Sequence, residues 1–237
     1  MKQLSRIFGR AFRFMKSDEA SWVIAPYLPC TTMNNVWRAL DKKGGSVLDV
    51  GGGKGRPMRF LIRKCGFRFT VNVDCSLHRL KEAKEKRTHD EYILCDVRFL
   101  PFKGNSFDIV LCLDLLEHLE KEAGYELLLT LEKIARKQIV LATDVNTKTT
   151  PVPEKRIGRD IDHVYSWRPS EFKRLGYKVR GSSFPQEIIG KRPFYVLRNN
   201  PLFLIERILS VVAGPFVYFF PSKGGHQTAV KFLNRNE

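Results

Sequence analysis

The 237-residue chain lacks an apolar run long enough to cross a membrane. Its longest, from Ile208 to Phe220, is interrupted by Gly214 and Pro215 and falls short of the roughly 20 residues a spanning helix requires. An integral membrane protein is therefore not expected. Paired cysteines are missing as well: Cys30, Cys65, Cys75, Cys95 and Cys112 are odd in number, form no C-x-x-C pair and lie mostly in apolar, strand-like runs. That usage fits a reducing, cytoplasmic compartment rather than a disulfide framework. The histidines, His78, His89, His118, His163 and His226, are spread along the chain without the close Cys/His spacing of a zinc site, and no metal is assigned. Internal repeats and low-complexity tracts are absent too. With 43% hydrophobic and 11% aromatic residues the chain can bury enough apolar surface to offset its conformational entropy, which excludes a disordered or fibrous protein. Its length suits one domain with elaborations.

Acidic residues are scarce, 25 against 41 Lys and Arg, for a formal charge of +16. The deficit lies in the flanks: residues 1–43 sum to +5, 44–144 to +2 and 145–237 to +9. An anionic membrane surface, nucleic acid or an anionic substrate would dock there, although the same charges also suit a merely soluble surface. The opening segment has Arg6, Arg10 and Arg13 threaded between Leu4, Ile7, Phe8, Ala11, Phe12 and Met15, without the apolar core of a signal peptide. It reads as a basic amphipathic helix, and three uses fit it: packing on the domain, lying on an anionic membrane, or serving as an organellar address.

From Ser46 onward, strand-length apolar runs alternate with helix-like stretches, the pattern of a parallel sheet covered on both faces. Strands are expected over 46–50, 69–73, 92–95, 107–113 and 138–143. Pro57 opens a helix through Met58, Leu61 and Ile62, Ser76 caps a charged one, and a Leu-rich helix follows the fourth strand to about Ala135. Residues 144–167, with Pro151, Pro153 and Gly158, form a long irregular connection of the kind that usually carries function. A short helix from Arg168 to Leu175, a strand over 177–184 and a last strand over 226–233 complete the pass. Residues 185–225 form an insertion between the last two strands, and within it 201–221 is apolar but for Glu206 and Arg207.

The most informative residues are Asp49-Val50-Gly51-Gly52-Gly53-Lys54-Gly55, at a strand-to-helix turn. Glycines there let the backbone approach a ligand, and the following helix offers free N–H groups to a carboxylate or phosphate. A dinucleotide fingerprint fails at Arg56, and a P-loop fails because Gly55 follows Lys54 and Leu48 stands where its first glycine belongs. The remaining pattern, D-x-G-x-G-x-G, resembles that of the class I S-adenosylmethionine-dependent methyltransferases. The resemblance covers residues 46–143: Asp74 ends the second strand, Asp96 and Val97 follow the third, and the phrase from Leu100 through Asn105-Ser106-Phe107-Asp108 to Glu117-His118-Leu119 is similar to the family's fourth strand and following helix.

That resemblance implies an α/β fold, a doubly wound, mostly parallel seven-stranded sheet whose last strand is antiparallel. Around the stretch it covers, the chain is expected to divide into an N-terminal helical cap (1–43) and a methyltransferase domain (44–237). It also implies S-adenosyl-L-methionine as cofactor: Asp49, Gly51, Gly53 and Gly55 around its methionine part, Asp74 on the ribose hydroxyls, Asp96 with Val97 on the adenine, and Leu113 with Asp114 near the sulfonium. A carboxylate suits a diol because its two oxygens accept two hydrogen bonds. Methyl transfer asks mainly for alignment and desolvation, and a general base only where the acceptor must lose a proton. The candidates are Glu117 and His118, for which first-turn helix residues are the favoured reading, and His163 in D-I-D-H-V-Y-S-W, which reads equally as a loop anchor. Asp160, Asp162 and His163 lie too close together to argue for a metal.

Leu113-Asp114-Leu115-Leu116 stands where amino-directed DNA methyltransferases carry N/D-P-P-Y/F, which argues against that acceptor class. The apolar 201–221 segment favours a small or lipid-like acceptor and attachment to the inner membrane surface as a peripheral protein; extra core or a dimer contact would use it equally. An RNA or protein methyltransferase is the alternative that the net charge favours, and a non-catalytic S-adenosylmethionine-binding protein is the alternative outside enzymes.

Overall fold

Alternation along the strands builds two cores at once. In the computed structural model, which describes residues 27, 29–145, 163–182, 212 and 214–233, strands β1 (Ser46–Val50), β2 (Phe69–Asp74), β3 (Glu91–Leu94), β4 (Phe107–Leu113) and β5 (Ala135–Asp144) pair in parallel. Successive side chains of a strand point to opposite faces. Val110, Cys112, Ile139 and Leu141 therefore enter one core with Leu127, Leu128, Leu131 and Ile134 of the helix Lys121–Ile134. Ile109, Leu111, Val140 and Ala142 enter the other, with Met58, Leu61 and Cys65 of the helix Arg56–Cys65 and Met33, Val36 and Leu40 at the helix Thr32–Ala39. A strand buried on both faces must be almost wholly apolar, which is why β4 reads F-D-I-V-L-C-L with Asp108 its one charged residue.

In chain order the helices are α1 (Thr32–Ala39), α2 (Arg56–Cys65), α3 (Leu77–Glu85), α4 (Lys121–Ile134) and α5 (Pro169–Arg174), and the remaining strands are β6 (Lys178–Ser182) and β7 (His226–Phe232). The sheet order is β3-β2-β1-β4-β5-β7-β6, with β7 antiparallel to both of its neighbours, as expected for the last strand. From β1 the next strands are added outward to one side and from β4 to the other, so the carboxyl ends of these two parallel strands border the crevice where ligands bind in open α/β sheets.

Local capping follows the sequence. The Ser76 hydroxyl accepts from the Arg79 N–H at the start of α3, and Glu82 pairs with Lys86 one turn on. One expectation needs correction. The helix after β4 starts at Lys121, and Glu117 and His118 sit before it in a single 3₁₀ turn, Leu116–His118. The break arises because Asp114 takes a left-handed backbone (φ 55°) and Leu119 is extended. Neither residue complements a helix dipole.

The basic amphipathic segment over 1–20, most of the irregular connection (146–162), the last two residues of the strand expected over 177–184 and much of the insertion (185–211 and 213) lie outside the described residues. From the insertion, residues 214–219 are helical. They press on β6 so closely that a Cβ at Gly181 would overlap the Val217 carbonyl oxygen and lie 2.8 Å from Pro221 Cα. Backbone cannot swing aside, so Gly181→Ala is expected to cost about 1–3 kcal/mol, read as a lower midpoint in urea unfolding. An unchanged midpoint would mean that this packing contributes nothing. Among the described residues no helix is long and apolar enough to cross a membrane.

Candidate active site

β1 delivers Asp49 to the crevice and then turns through Gly51, Gly53 and Gly55, all at positive φ. Gly51 N–H donates to the Val73 carbonyl at 2.7 Å, which hangs the turn on β2. Gly55, at φ 65°, begins α2, and a Cβ there would overlap the Thr88 hydroxyl, so backbone and space both demand glycine. At Gly53 the missing side chain opens room instead: a Cβ would stand 3.7 Å from Asp74 Oδ2 and 3.8 Å from Arg79 Cδ. No side chain caps the first turn of α2 and no acid lies in it, which leaves its N–H groups and positive dipole end to a ligand.

Beneath the turn, buried Asp49 accepts from His89 Nε2 at 3.2 Å, and His89 Nδ1 meets the Thr88 hydroxyl at 2.9 Å. Asp74 Oδ2 accepts from Gly53 N–H at 3.0 Å and Oδ1 from Ser76 N–H at 2.8 Å. Asn72 donates to the Gly53 carbonyl while its own buried Oδ1 has no hydrogen-bond partner. Asp96 follows β3 and caps a short turn. Its carboxylate accepts from the Arg98 backbone and guanidinium, and that pairing holds its pKa below the usual range. Val97 beside it is buried.

Across the crevice, β4 ends at Leu113 and Asp114, and Leu115 packs on the turn: a Cβ at Gly51 would lie 2.9 Å from both of its methyl carbons. Here carboxylates and imidazoles converge. Asp114 Oδ1 accepts from His226 Nε2 at 2.8 Å, and Asp144 at the end of β5 lies 3.6 Å from the same nitrogen. Asp144 Oδ2 holds His163 Nδ1 at 3.2 Å, and the His163 and His118 rings stand 5.1 Å apart, edge to face. Buried Glu117 accepts from the Thr143 hydroxyl at 2.8 Å. Thr32 Oγ1, from α1, meets His226 Nδ1 at 3.2 Å and Ser182 Oγ at 2.8 Å.

The residues that follow His163 are pinned along their length. Val164 and Tyr165 N–H groups donate to the Glu117 carbonyl, and fully buried Trp167 donates its indole N–H to Leu116 and packs on Gly124 and Phe172. The tryptophan of the H-x-x-x-W stretch is thus the anchor, and the histidine is the group it presents.

The electrostatics follow from this crowding. Burial and the neighbouring Asp114 charge push the Glu117 carboxyl up to about 7. Burial works against a charged His226, but Asp114, Asp144 and Glu117 outweigh it and raise the imidazole to about 9. Burial likewise raises Asp144, whereas in Asp114 the effect of burial is overcome by His226 and the pKa falls. Since the folded-state value of His226 lies above the ordinary 6.5, its ion pairing stabilises fully below about pH 6.5 and fades as pH rises through about 9. The thermal midpoint of the wild type should therefore fall relative to that of His226→Gln between those values. The contribution at stake is up to ~3 kcal/mol, and parallel pH profiles of the two proteins would contradict it.

The fold thus gathers the sequence candidates into two groups facing one crevice: Asp49, Gly51, Gly53, Gly55 and Asp74 at the turn, and Leu113, Asp114, Glu117, His118 and His163 opposite. Asp160 and Asp162 lie outside the described residues. Sequence reading missed Asp144, Thr143, Thr32 and His226, and it missed that three of the five histidines meet. The signal was available for two of these: an antiparallel last strand starting at His226 must place that residue at the carboxyl end of β5, and the register pairs it with Asp144.

Residues 48–142 match the family model of the methyltransferase domain. An uncharacterized protein of Methanocaldococcus jannaschii is 39% identical over 70 residues, spanning 25% of this chain and 30% of that one, so the chain matches less than a third of that relative's length. Among solved structures, a SAM-dependent methyltransferase from Archaeoglobus fulgidus superposes with a TM-score of 0.58 at 16% identity, over 97% of this chain and 99% of that one. A chain from the Haloferax volcanii complex of the Trm112 methyltransferase activator gives 0.58 at 16% identity over 95% and 97%. At such identities the likeness is one of fold, and it extends to nearly the whole length. The matched stretch thus carries a methyltransferase domain over residues 48–142, set in a sheet of this order.

Proposed function

We propose that the protein is an enzyme that transfers a methyl group from S-adenosylmethionine to a small or lipid-like acceptor. The observation that carries this reading is the glycine turn facing a carboxylate and imidazole cluster built around buried Glu117, with Leu115 beside that cluster seated on Gly51 of the turn. The residues present fit the cofactor. The open space at Gly53 lies before the Asp74 carboxylate, and the uncapped start of α2 suits an amino-acid carboxylate. Asp49, Gly51, Gly53 and Gly55 would surround the methionine part, Leu113 and Asp114 would border the sulfur, and Asp74 has lone pairs left for the ribose hydroxyls beyond its two backbone donors. Asp96, beside Val97, would reach the adenine amino group on release from Arg98. When bound, the cofactor supplies a methyl group already activated on a cationic sulfur and displaced in line.

The chain has to align the acceptor, exclude water and receive a proton where the acceptor carries one. Glu117, with Thr143 fixing one oxygen and a pKa near 7, is a carboxyl suited to that exchange. His118 and His163 stand beside it, with His163 oriented by Asp144.

The acceptor class rests on the helical residues 214–219 and their neighbours. Phe216, Phe219 and Phe220 expose more than half of their surface, with Phe216 and Phe220 stacked at 4.8 Å and Val212 exposed nearby. The helix that carries Phe216 and Phe219 packs on β6 through Val217, and Ser182 of β6 pairs with His226 in the cluster. An apolar cover beside the acceptor side suits a lipid-like molecule and contact with an anionic membrane surface.

Incubation with methyl-labelled S-adenosylmethionine and extract of the source cells, followed by fractionation, tests the reading. Label in the organic-soluble or small-molecule fraction supports it. Label in nucleic acid or protein would instead make the basic flanks a recognition surface for a macromolecule.

A further inference from the structure

We propose that Glu117, His118 and His163 form a binding site for one divalent transition-metal ion. One ligand atom from each lies within 4.8 Å of the other two. Ligands held about 2.0–2.2 Å from a common ion stand ~3–4 Å from one another, so small side-chain rotations close the set. Two imidazoles and one carboxylate prefer zinc, manganese, iron or cobalt to the all-oxygen ions magnesium and calcium.

Supporting bonds already orient two of these donors, His163 and Glu117, as metal sites require. Asp144 Oδ2 takes His163 Nδ1 at 3.2 Å, which leaves Nε2 as the ligating nitrogen, and Thr143 takes one oxygen of Glu117 at 2.8 Å, which leaves the other. A carboxylate behind a histidine is the usual outer partner of a ligating imidazole. The segment from Val164 to Trp167, pinned to Glu117 and Leu116, holds His163 in place without a metal. A second set, Asp114, Glu117 and His226, shares Glu117. There, however, both ring nitrogens of His226 are engaged, Nε2 with Asp114 and Nδ1 with Thr32, so the first set is the ion site.

Three protein ligands leave coordination positions open. In the reading above, on which only this role rests, the open side would take an oxygen of the acceptor, and a bound ion would then replace Glu117 as the group that eases loss of the acceptor's proton; binding of the ion itself does not depend on that reading.

The test uses the full chain stripped with a chelator, then titrated with Mn²⁺ or Zn²⁺ in a calorimeter, and after dialysis analysed for metal by mass spectrometry, with no S-adenosylmethionine present. We expect one ion per chain, lost in Glu117→Gln, His118→Ala and His163→Ala, weakened about 10–100-fold in Asp144→Asn, and retained in His78→Ala and His226→Gln. S-adenosylmethionine binding by the stripped variants checks that they remain folded and separates failure of the ion site from failure of the cofactor reading. No ion retained by the wild type, or retention that survives His163→Ala but not His226→Gln, overturns the assignment.

Discussion

Asp74→Ala is expected to raise the dissociation constant for S-adenosylmethionine about 100-fold or more. Two hydrogen bonds from the ribose hydroxyls to a carboxylate would vanish, each worth about 1.5–3 kcal/mol as a bond to a charged group, and each 1.4 kcal/mol is about tenfold in affinity. The substitution also frees Gly53 N–H and Ser76 N–H, which Asp74 now holds, so the turn itself would loosen. Asp74→Asn keeps the shape and one acceptor and should lose about tenfold. Calorimetric titration reads both variants. An affinity for Asp74→Ala within about threefold of wild type would mean that the ribose is held elsewhere.

Asp108→Ala should give the largest loss of stability while leaving that affinity unchanged. Asp108 starts β4 at the end of the sheet away from the crevice, almost wholly buried, where its carboxylate takes the Ser46 N–H, the Ser46 hydroxyl, Arg136 and Lys137. Burial alone would raise its pKa, but Ser46 and Lys137 outweigh it and bring the group down to about 2. Truncation leaves a buried N–H without its acceptor and two cations without their counter-charge, a loss of about 3 kcal/mol. For a domain of this size that lowers the melting temperature by roughly 6–12 °C. Because the folded-state pKa lies below the ordinary 3.8, the contribution is present above about pH 4 and disappears as pH falls through about 2. Asp108→Asn should therefore lack an acid-induced loss of about 2 kcal/mol that the wild type shows. Matching acid profiles would remove Asp108 from the account.

The strands were legible because burial on both faces leaves few choices of residue: β1, β2 and β4 begin where their apolar runs begin, and β2 runs one residue past its run, to Asp74. The glycine turn was legible because its positive φ values and the crowding at Gly55 exclude other residues. The 3₁₀ turn at Leu116–His118 was not, since it depends on a left-handed Asp114, a conformation that no neighbouring residue announces. Nor was the histidine cluster. His118, His163 and His226 are far apart in sequence and meet only because β7 runs antiparallel beside β5 and because Trp167 anchors the segment that carries His163. Tertiary pairing, not local pattern, assembles the acceptor side.

The most direct measurement is the fate of the cofactor's methyl group. Purified protein is supplied with S-adenosylmethionine and extract, and S-adenosylhomocysteine and methylated product are followed together by mass spectrometry. The account predicts that both accumulate in equal amounts with the wild type and that neither does with Asp74→Ala. Stoichiometric binding of S-adenosylmethionine with no S-adenosylhomocysteine formed would contradict it and leave a protein that holds the cofactor without using it.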